Sequence, residues 1–176
     1  MFSYWEQKNF FTYDLIVIGS GFTGLSTAIH YKKKHPKASV LILEKGVFPT
    51  GASTKNAGFA CFGSLTEILD DFWSMNQDEV VALVEKRFKG LQQMRKTFGD
   101  STLRYSHRHG FELLEEENVK AVDQIGDVNK LLKKLFKKDV FSLVKKPEKM
   151  NFSDRVKAVV ENQFEGELDP GAYLGG

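Results

Sequence analysis

The 176-residue chain is short of several things. It has one cysteine, Cys61, which excludes an internal disulfide framework and fits a reducing compartment. No apolar run approaches the length of a membrane span. Net charge is small: 25 basic and 23 acidic residues leave +2 at neutral pH, mixed along the chain apart from short lysine clusters. That balance does not call for nucleic acid. No repeat or low-complexity tract occurs. The opening Met1-Phe2-Ser3-Tyr4-Trp5-Glu6-Gln7-Lys8 lacks a signal peptide's charged start and long apolar centre. The absences lead to the expectation of a soluble cytoplasmic protein with neither nucleic acid nor membrane as partner.

Enough apolar material is present for a core: 41% hydrophobic and 12% aromatic residues exclude global disorder. The length suits one domain, or one domain and part of another.

The densest information lies in Tyr13-Asp14-Leu15-Ile16-Val17-Ile18-Gly19-Ser20-Gly21-Phe22-Thr23-Gly24-Leu25. A continuous apolar run over 13–19 predicts a buried parallel strand. A helical pattern over 22–35 follows, with Lys32, Lys33, Lys34 and His35 at its C-terminal end and Pro36 as its stop. A second strand, 39–44, ends in Glu44. This is a G-x-G-x-x-G turn with a strand before it, a helix after it and an acid at the end of the next strand. Gly19 permits the sharp exit from the strand, and Gly21 lets main chain approach a pyrophosphate. Gly24 and Ala28 let the helix pack closely on the sheet. Glu44 can accept both ribose hydroxyls and would repel a 2′-phosphate. The pattern suits a dinucleotide whose diphosphate rests on the helix-start amides. NAD and FAD both meet that description.

From Gly46 to Gly63 the chain is rich in Gly, Ser, Thr and Ala without periodicity, which predicts a functional loop. Capping boxes at Ser64/Glu67 and Asn76/Glu79 open two helices. The first has Leu65, Ile68, Leu69 and Phe72 on one face. The second runs to about residue 98, with Val80, Val84, Leu91 and Phe98 inward. Trp73 and Phe88 read as packing residues. Short strands are expected at Leu103–Tyr105, Gly110–Leu114, Val140–Val144 and Lys157–Phe164. A helix over 115–137 is expected to bury Val119, Val122, Ile125, Leu132 and Leu135. Asp169 and Pro170 announce a further helix that is cut off at Gly176. With only two central parallel strands in view, the sequence reads as a truncated chain whose first strand has an unpaired apolar edge.

Residues 13–58 resemble the N-terminal flavin-binding segment of the D-amino-acid oxidase superfamily, which includes glycine oxidase, sarcosine oxidase and γ-glutamylputrescine oxidoreductase. The resemblance rests on the dinucleotide turn with Glu44 and on Gly51-Ala52-Ser53-Thr54-Lys55-Asn56-Ala57-Gly58, which is similar to the family's G-x-S-x-x-N-x-G loop. It implies an α/β fold, a partial Rossmann-like FAD-binding domain followed by the start of an antiparallel α+β substrate-cap domain. The implied divisions are 1–100, 101–165 and a return toward the flavin domain over 166–176. By resemblance, Gly19, Ser20, Gly21, Phe22, Thr23 and Gly24 face the diphosphate, Glu44 contacts the adenosine ribose and Lys45 flanks the adenosine. The flavin side is lined by Gly51, Ala52, Ser53, Thr54, Asn56, Ala57 and Gly58. Lys55 stands about where some relatives carry a flavin-linked histidine, which implies non-covalent FAD. The implied chemistry is oxidation of the C–N bond of a small-molecule amine or amino acid by hydride transfer to flavin.

No catalytic side chain is assigned, and the 176 residues are expected to lack turnover alone, with a complementing C-terminal chain as one partner. Two other readings remain open at this point: a non-catalytic dinucleotide-binding module and an NAD-dependent dehydrogenase. Outside the motif, Cys61 reads as a small buried hydrophobe rather than a redox thiol. His107 and His109 read as strand or surface residues, since no further metal ligands are evident. The lysine clusters near 133–138 and 145–149 read as solvated ends.

Overall fold

The computed structural model describes residues 1–146 and 152–175 and divides into two compact units. One comprises Met1–Ala57 with Asp169–Gly176, the other Gly58–Leu168.

In the first unit, helix α1 (Tyr4–Phe10) precedes strand β1 (Leu15–Ile18), helix α2 (Phe22–Lys34) and strand β2 (Val40–Leu43). α1 opens on a Ser3/Glu6 capping box that sequence reading passed over. β1 and β2 pair in parallel, Leu15 opposite Val40 through Ile18 opposite Leu43. Asp14 Oδ2 sets the start of that register by accepting from Ser39 N and Ser39 Oγ, at 2.7 and 2.8 Å. α2 ends where expected. His35 N donates to Tyr31 O at 2.8 Å, and Lys32 Nζ donates to Ala38 O at 2.6 Å, so that lysine closes a helix end. The expectation of a strand buried on both faces is corrected. Val17 is buried, but Ile16 and Ile18 are 49% and 78% exposed, because the sheet has two strands and α2 covers one face. Helix α7 (Pro170–Gly175) belongs to the same unit. Asp169 Oδ1 accepts from Gly171 N and Ala172 N, at 2.8 and 3.1 Å, as its N-cap.

The second unit carries the hydrophobic core. Strand β3 (Phe59–Ala60) pairs antiparallel with β7 (Gly166–Glu167). Helices α3 (Leu65–Asp71) and α4 (Gln77–Phe98) open on the two expected capping boxes. Strands β4 (Gly110–Leu114), β5 (Phe141–Val144) and β6 (Ala158–Asn162) form an antiparallel sheet in the order β4-β6-β5. Helix α6 (Ile125–Phe136) packs among these elements, and Phe62, Leu65, Ile68, Val84, Leu132 and Phe136 share one cluster. Phe62 stacks on Phe136 with ring centroids 4.9 Å apart, and Phe88 meets both rings edge-on.

Three expectations fail here for identifiable reasons. Residues 103–105 form no strand. Gly99, at φ 82°, lets the chain turn into a one-turn helix α5 (Asp100–Leu103), and Arg95 grips Asp100 through two 2.8 Å bonds. Residues 115–137 do not form one helix. Val119, Val122 and Ile125 recur every third residue, the period of the 3₁₀ helix over Val119–Gln124, and only then does α6 begin. Trp73 is 90% exposed, so it is no packing residue, whereas Phe88 is one. The lysine cluster of 145–149 lies, beyond Lys146, outside the described residues.

Asn129 ties α6 to the sheet. Its Oδ1 accepts from Val140 N and Phe141 N at 2.9 and 2.8 Å, and its Nδ2 donates to Phe141 O at 2.8 Å. Asn129→Ala removes these partners from buried backbone groups and should cost about 2–4 kcal/mol. The check is the urea midpoint, which should fall with an unchanged m-value.

Candidate functional site

The turn after β1 is built by close contact. Gly19 N donates to Leu43 O at 2.7 Å and the residue takes φ 93°, a region open to glycine. A Cβ on Gly24 would fall 2.0 Å from Gly19 O and 3.2 Å from Val17 Cγ1, so α2 lies against the strand exit at a distance no side chain permits. Ala28 is buried one turn later. The start of α2 therefore stands directly beyond the C-terminal edge of β1, its first amides lacking intrahelical acceptors.

Glu44 reaches the same turn. Ser20 N and Ser20 Oγ donate to its Oε2 at 2.8 and 2.7 Å, and Lys45 N donates to Oε1 at 3.0 Å. These bonds, those from Ser20 first and then one from Gly46 N at 3.4 Å ahead of that from Lys45, hold the carboxyl down to about 2. It is an exposed, permanently ionised acceptor.

Ser53 also arrives there. Its Oγ accepts from Phe22 N at 3.0 Å and lies 2.9 Å from where a Gly21 Cβ would stand. The stretch Gly51–Ala57 is knotted on itself. Thr54 N and Lys55 N donate to Gly51 O and Ala52 O, both at 3.2 Å. Thr54 Oγ1 donates to Pro49 O at 2.9 Å, and Asn56 Nδ2 to Ser53 O at 3.0 Å. The structure thus gathers Gly19, Ser20, Gly21, Phe22, Gly24, Glu44 and Ser53 around one helix start. Thr23 and Ala52 are exposed beside them, and Gly58, at φ 75°, opens the second unit. These residues suit a dinucleotide: a hydroxyl oxygen already sits on an α2 amide, and Gly21 leaves the main chain bare.

Within the second unit, β3, α3, β4, β5 and β6 line a half-open pocket of about 280 Å³ that sequence reading missed. Cys61, Glu67, Glu112, Asn162 and Glu165 line it. Cys61 is exposed at this cavity, which corrects the expectation of a buried hydrophobe. Partial burial of the thiol, then the Glu165 and Glu67 carboxylates, raise its pKa, so it stays protonated and weakly nucleophilic. The Glu165 carboxyl is pushed up to about 7, mainly by burial and further by Glu67 and Glu112, against a lowering bond from the Phe62 backbone. One signal was present in the chain: a glycine inside a strand, Gly110, marks close approach. Its Cβ would collide with Glu165 Oε2 at 1.9 Å. His107 and His109 lie elsewhere on this unit, His109 Nδ1 2.7 Å from Glu161 Oε1 and His107 Nε2 2.9 Å from Gln163 O.

The family model of FAD dependent oxidoreductases (DAO) matches residues 14–176. Among solved structures, L-proline dehydrogenase from P. horikoshii superposes with a TM-score of 0.59 at 19% identity, over 93% of this chain and 40% of that one. Glycine oxidase from Bacillus cereus ATCC 14579 gives 0.57 at 21% identity, covering 93% and 42%. Glycine oxidase from Geobacillus kaustophilus gives 0.56 at 17%, with the same coverage. The chain therefore spans well under half of the structures it resembles. A search of curated protein sequences gave no match.

Two outcomes test this geometry. Gly24→Ala forces α2 away from Gly19 O and should cost about 1–3 kcal/mol, read as a lower urea midpoint. Glu165→Gln should act oppositely above neutrality. The raised carboxyl favours folding below its ordinary value of 4.5, and that advantage is lost as pH rises through about 7. At pH 8 the variant should be more stable than the parent by about 1–2 kcal/mol, allowing for partial solvent access, with the difference gone near pH 4.

Proposed function

The chain belongs to the FAD-dependent oxidoreductase family DAO, and from that premise we propose that it is the FAD-binding part of an enzyme oxidising the C–N bond of an amine or amino acid. The observation that carries the reading is the Gly19–Gly24 turn with Ser20 and Ser53 converging on it and Glu44 ionised beside it. The family's cofactor is FAD. The amides at the start of α2 would hold its diphosphate, with Gly21 leaving them open. Glu44 would accept the ribose hydroxyls and Lys45 would flank the adenosine. The Gly51–Gly58 loop would run along the flavin side, Ser53 giving up its bond to Phe22 N. Lys55 in that loop offers no side chain suited to a flavin linkage, so the cofactor is held without a covalent bond.

Bound FAD supplies two-electron oxidation by accepting hydride from the carbon of a C–N bond. The chain's own residues bind and orient. The self-bonded Gly51–Ala57 loop fixes a surface in advance, so ordering costs little on binding. The names of the structures it resembles, a proline dehydrogenase and two glycine oxidases, support an amino acid or amine as substrate. The residues proposed here contact the cofactor. Those that position the substrate are expected in further chain, or in a complementing chain, so the 176 residues alone should bind FAD without turnover.

The experiment is a titration of the purified protein with FAD and with NAD, followed by flavin absorbance and thermal shift. FAD should bind and shift the midpoint; NAD should not. Glu44→Gln should weaken FAD by about tenfold. Because the Glu44 carboxyl sits near 2, its contribution should be flat between pH 5 and 9. Preference for NAD, or an unaffected Glu44→Gln variant, overturns the reading.

A further inference from the structure

We propose that the edge of the first unit where β1 and β2 begin binds an anionic membrane surface, the α1 aromatics entering the headgroup layer and the lysines at the end of α2 meeting lipid phosphates. The proposal is independent of the cofactor reading. It departs from the expectation that a membrane is no partner, which rests on the lack of a spanning segment. Among the described residues no helix is long and apolar enough to span, but a helix lying in the interface need not be.

The family match begins at Asp14, so α1 stands before the part of the chain that the family model covers. Its aromatic side chains face solvent: Phe2, Tyr4, Trp5, Phe10 and Phe11 are each between 57% and 66% exposed. They are not scattered singly. Phe2 and Phe11 bring their ring centroids within 4.8 Å, and Tyr4 and Trp5 within 5.1 Å. Lys8 Nζ stands 5.6 Å from the Trp5 ring centre and 5.9 Å from that of Tyr4. The Ser3/Glu6 capping box fixes the helix that presents them. Contiguous exposed rings of this kind mark a surface that something else covers.

The charges nearby choose the partner. Phe11 precedes Asp14 by three residues, which holds it within about 11 Å even if the chain is extended. Asp14 accepts from Ser39, at the entry to β2. α2 returns the chain to the same edge: Lys32 Nζ donates to Ala38 O, one residue before Ser39. Lys32, Lys33, Lys34 and Lys37 are all exposed there. With Lys8 they outnumber the neighbouring carboxylates, Glu6 and Asp14, which already accept bonds from Ser3 and Ser39. Tyrosine and tryptophan rings favour the boundary between water and hydrocarbon, and lysines beside them favour a leaflet with anionic headgroups. Neither signal holds a protein firmly alone; together they give reversible attachment. The dinucleotide turn lies at the opposite edge, past the other end of α2. That helix of 13 residues separates the two edges by about 20 Å, so lipid contact leaves the turn open.

The test is co-sedimentation of the purified protein with phosphatidylcholine vesicles, either pure or containing about one-third phosphatidylglycerol. In about 0.1 M salt the anionic vesicles should bind at least about tenfold more tightly than the neutral ones, and about 0.5 M salt should remove most of that difference. Lys33→Glu combined with Lys34→Glu should cost about tenfold on anionic vesicles, and Trp5→Ala combined with Phe10→Ala about as much. Both variants should keep the parent's far-ultraviolet dichroism spectrum. A second arm leaves the patch unaltered. In Trp73→Phe, Trp5 is the one remaining tryptophan. Its emission should move to the blue on anionic vesicles and be quenched by brominated lipid. Equal binding to the two vesicle types, or Trp5 emission that anionic vesicles leave unmoved, overturns the proposal. So does self-association of the free protein in sedimentation velocity that the Trp5 and Phe10 changes abolish, which assigns the rings to a second copy. FAD absorbance is read in the same samples. Its retention with vesicle binding lost sinks this inference alone; its loss with vesicle binding retained sinks the cofactor reading alone.

Discussion

The first unit depends on the contact between Gly24 and the carbonyl of Gly19. A helix can begin immediately beyond a strand's end only if its first turn lies against that end, and here any Cβ would overlap the carbonyl oxygen. The contact fixes where the α2 amides stand. It also carries Ser20 to the place where Glu44, from the end of β2, can accept from both its amide and its hydroxyl. Moving the helix outward would separate those groups together. The site is thus a consequence of backbone packing, with side chains added to a position the glycines create.

The two units obtain order differently. In the first, the buried apolar residues among those described are Val17 and Ala28, and the sheet is pinned by polar contacts such as Asp14 to Ser39. In the second, aromatic rings and aliphatic side chains close a core around Phe62 and Phe136, with Asn129 supplying hydrogen bonds where a loop enters it. Acids at helix starts recur throughout. Glu6, Glu67 and Glu79 each close a capping box, and Glu112 reaches the start of α3 from another element. Placing negative charge on orphan amides satisfies donors that a helix cannot pair internally.

Legibility in the sequence followed the range of the interactions. The glycine turn after β1, α2, β2 and the capping boxes at Ser64 and Asn76 were readable because their determinants lie within a few residues, or, for Glu44, at a spacing fixed by strand and helix lengths. The family could be named from the turn and the Gly51–Gly58 loop, and the family model covers residues 14–176. What failed had two kinds of cause, local signals misread and contacts made only on folding. The 115–137 stretch was apolar at helical density, but its period of three over Val119–Ile125 selected a tighter helix. Residues 103–105 had strand-like composition, but the Arg95–Asp100 pair and Gly99 turned the chain first. The continuous apolar run of β1 signalled a strand correctly but not its burial, which depends on neighbours. Apart from Gly110, nothing local marked the pocket, because Glu67, Glu112 and Glu165 come from three separated segments and only folding brings them together.

Glu44 and Glu165 show why residue type alone does not give a role. Each is a glutamate near a cluster of backbone groups, and their carboxyls move in opposite directions, to about 2 and to about 7. Around Glu44, donors outnumber acceptors and water is close, so the charged form is held and can accept further hydroxyls without changing state. Around Glu165, other carboxylates and loss of water oppose ionisation, and one oxygen is left without a donor. The first arrangement suits a neutral polyol such as a ribose. The second keeps the carboxyl neutral over much of the pH range in which Glu44 is charged.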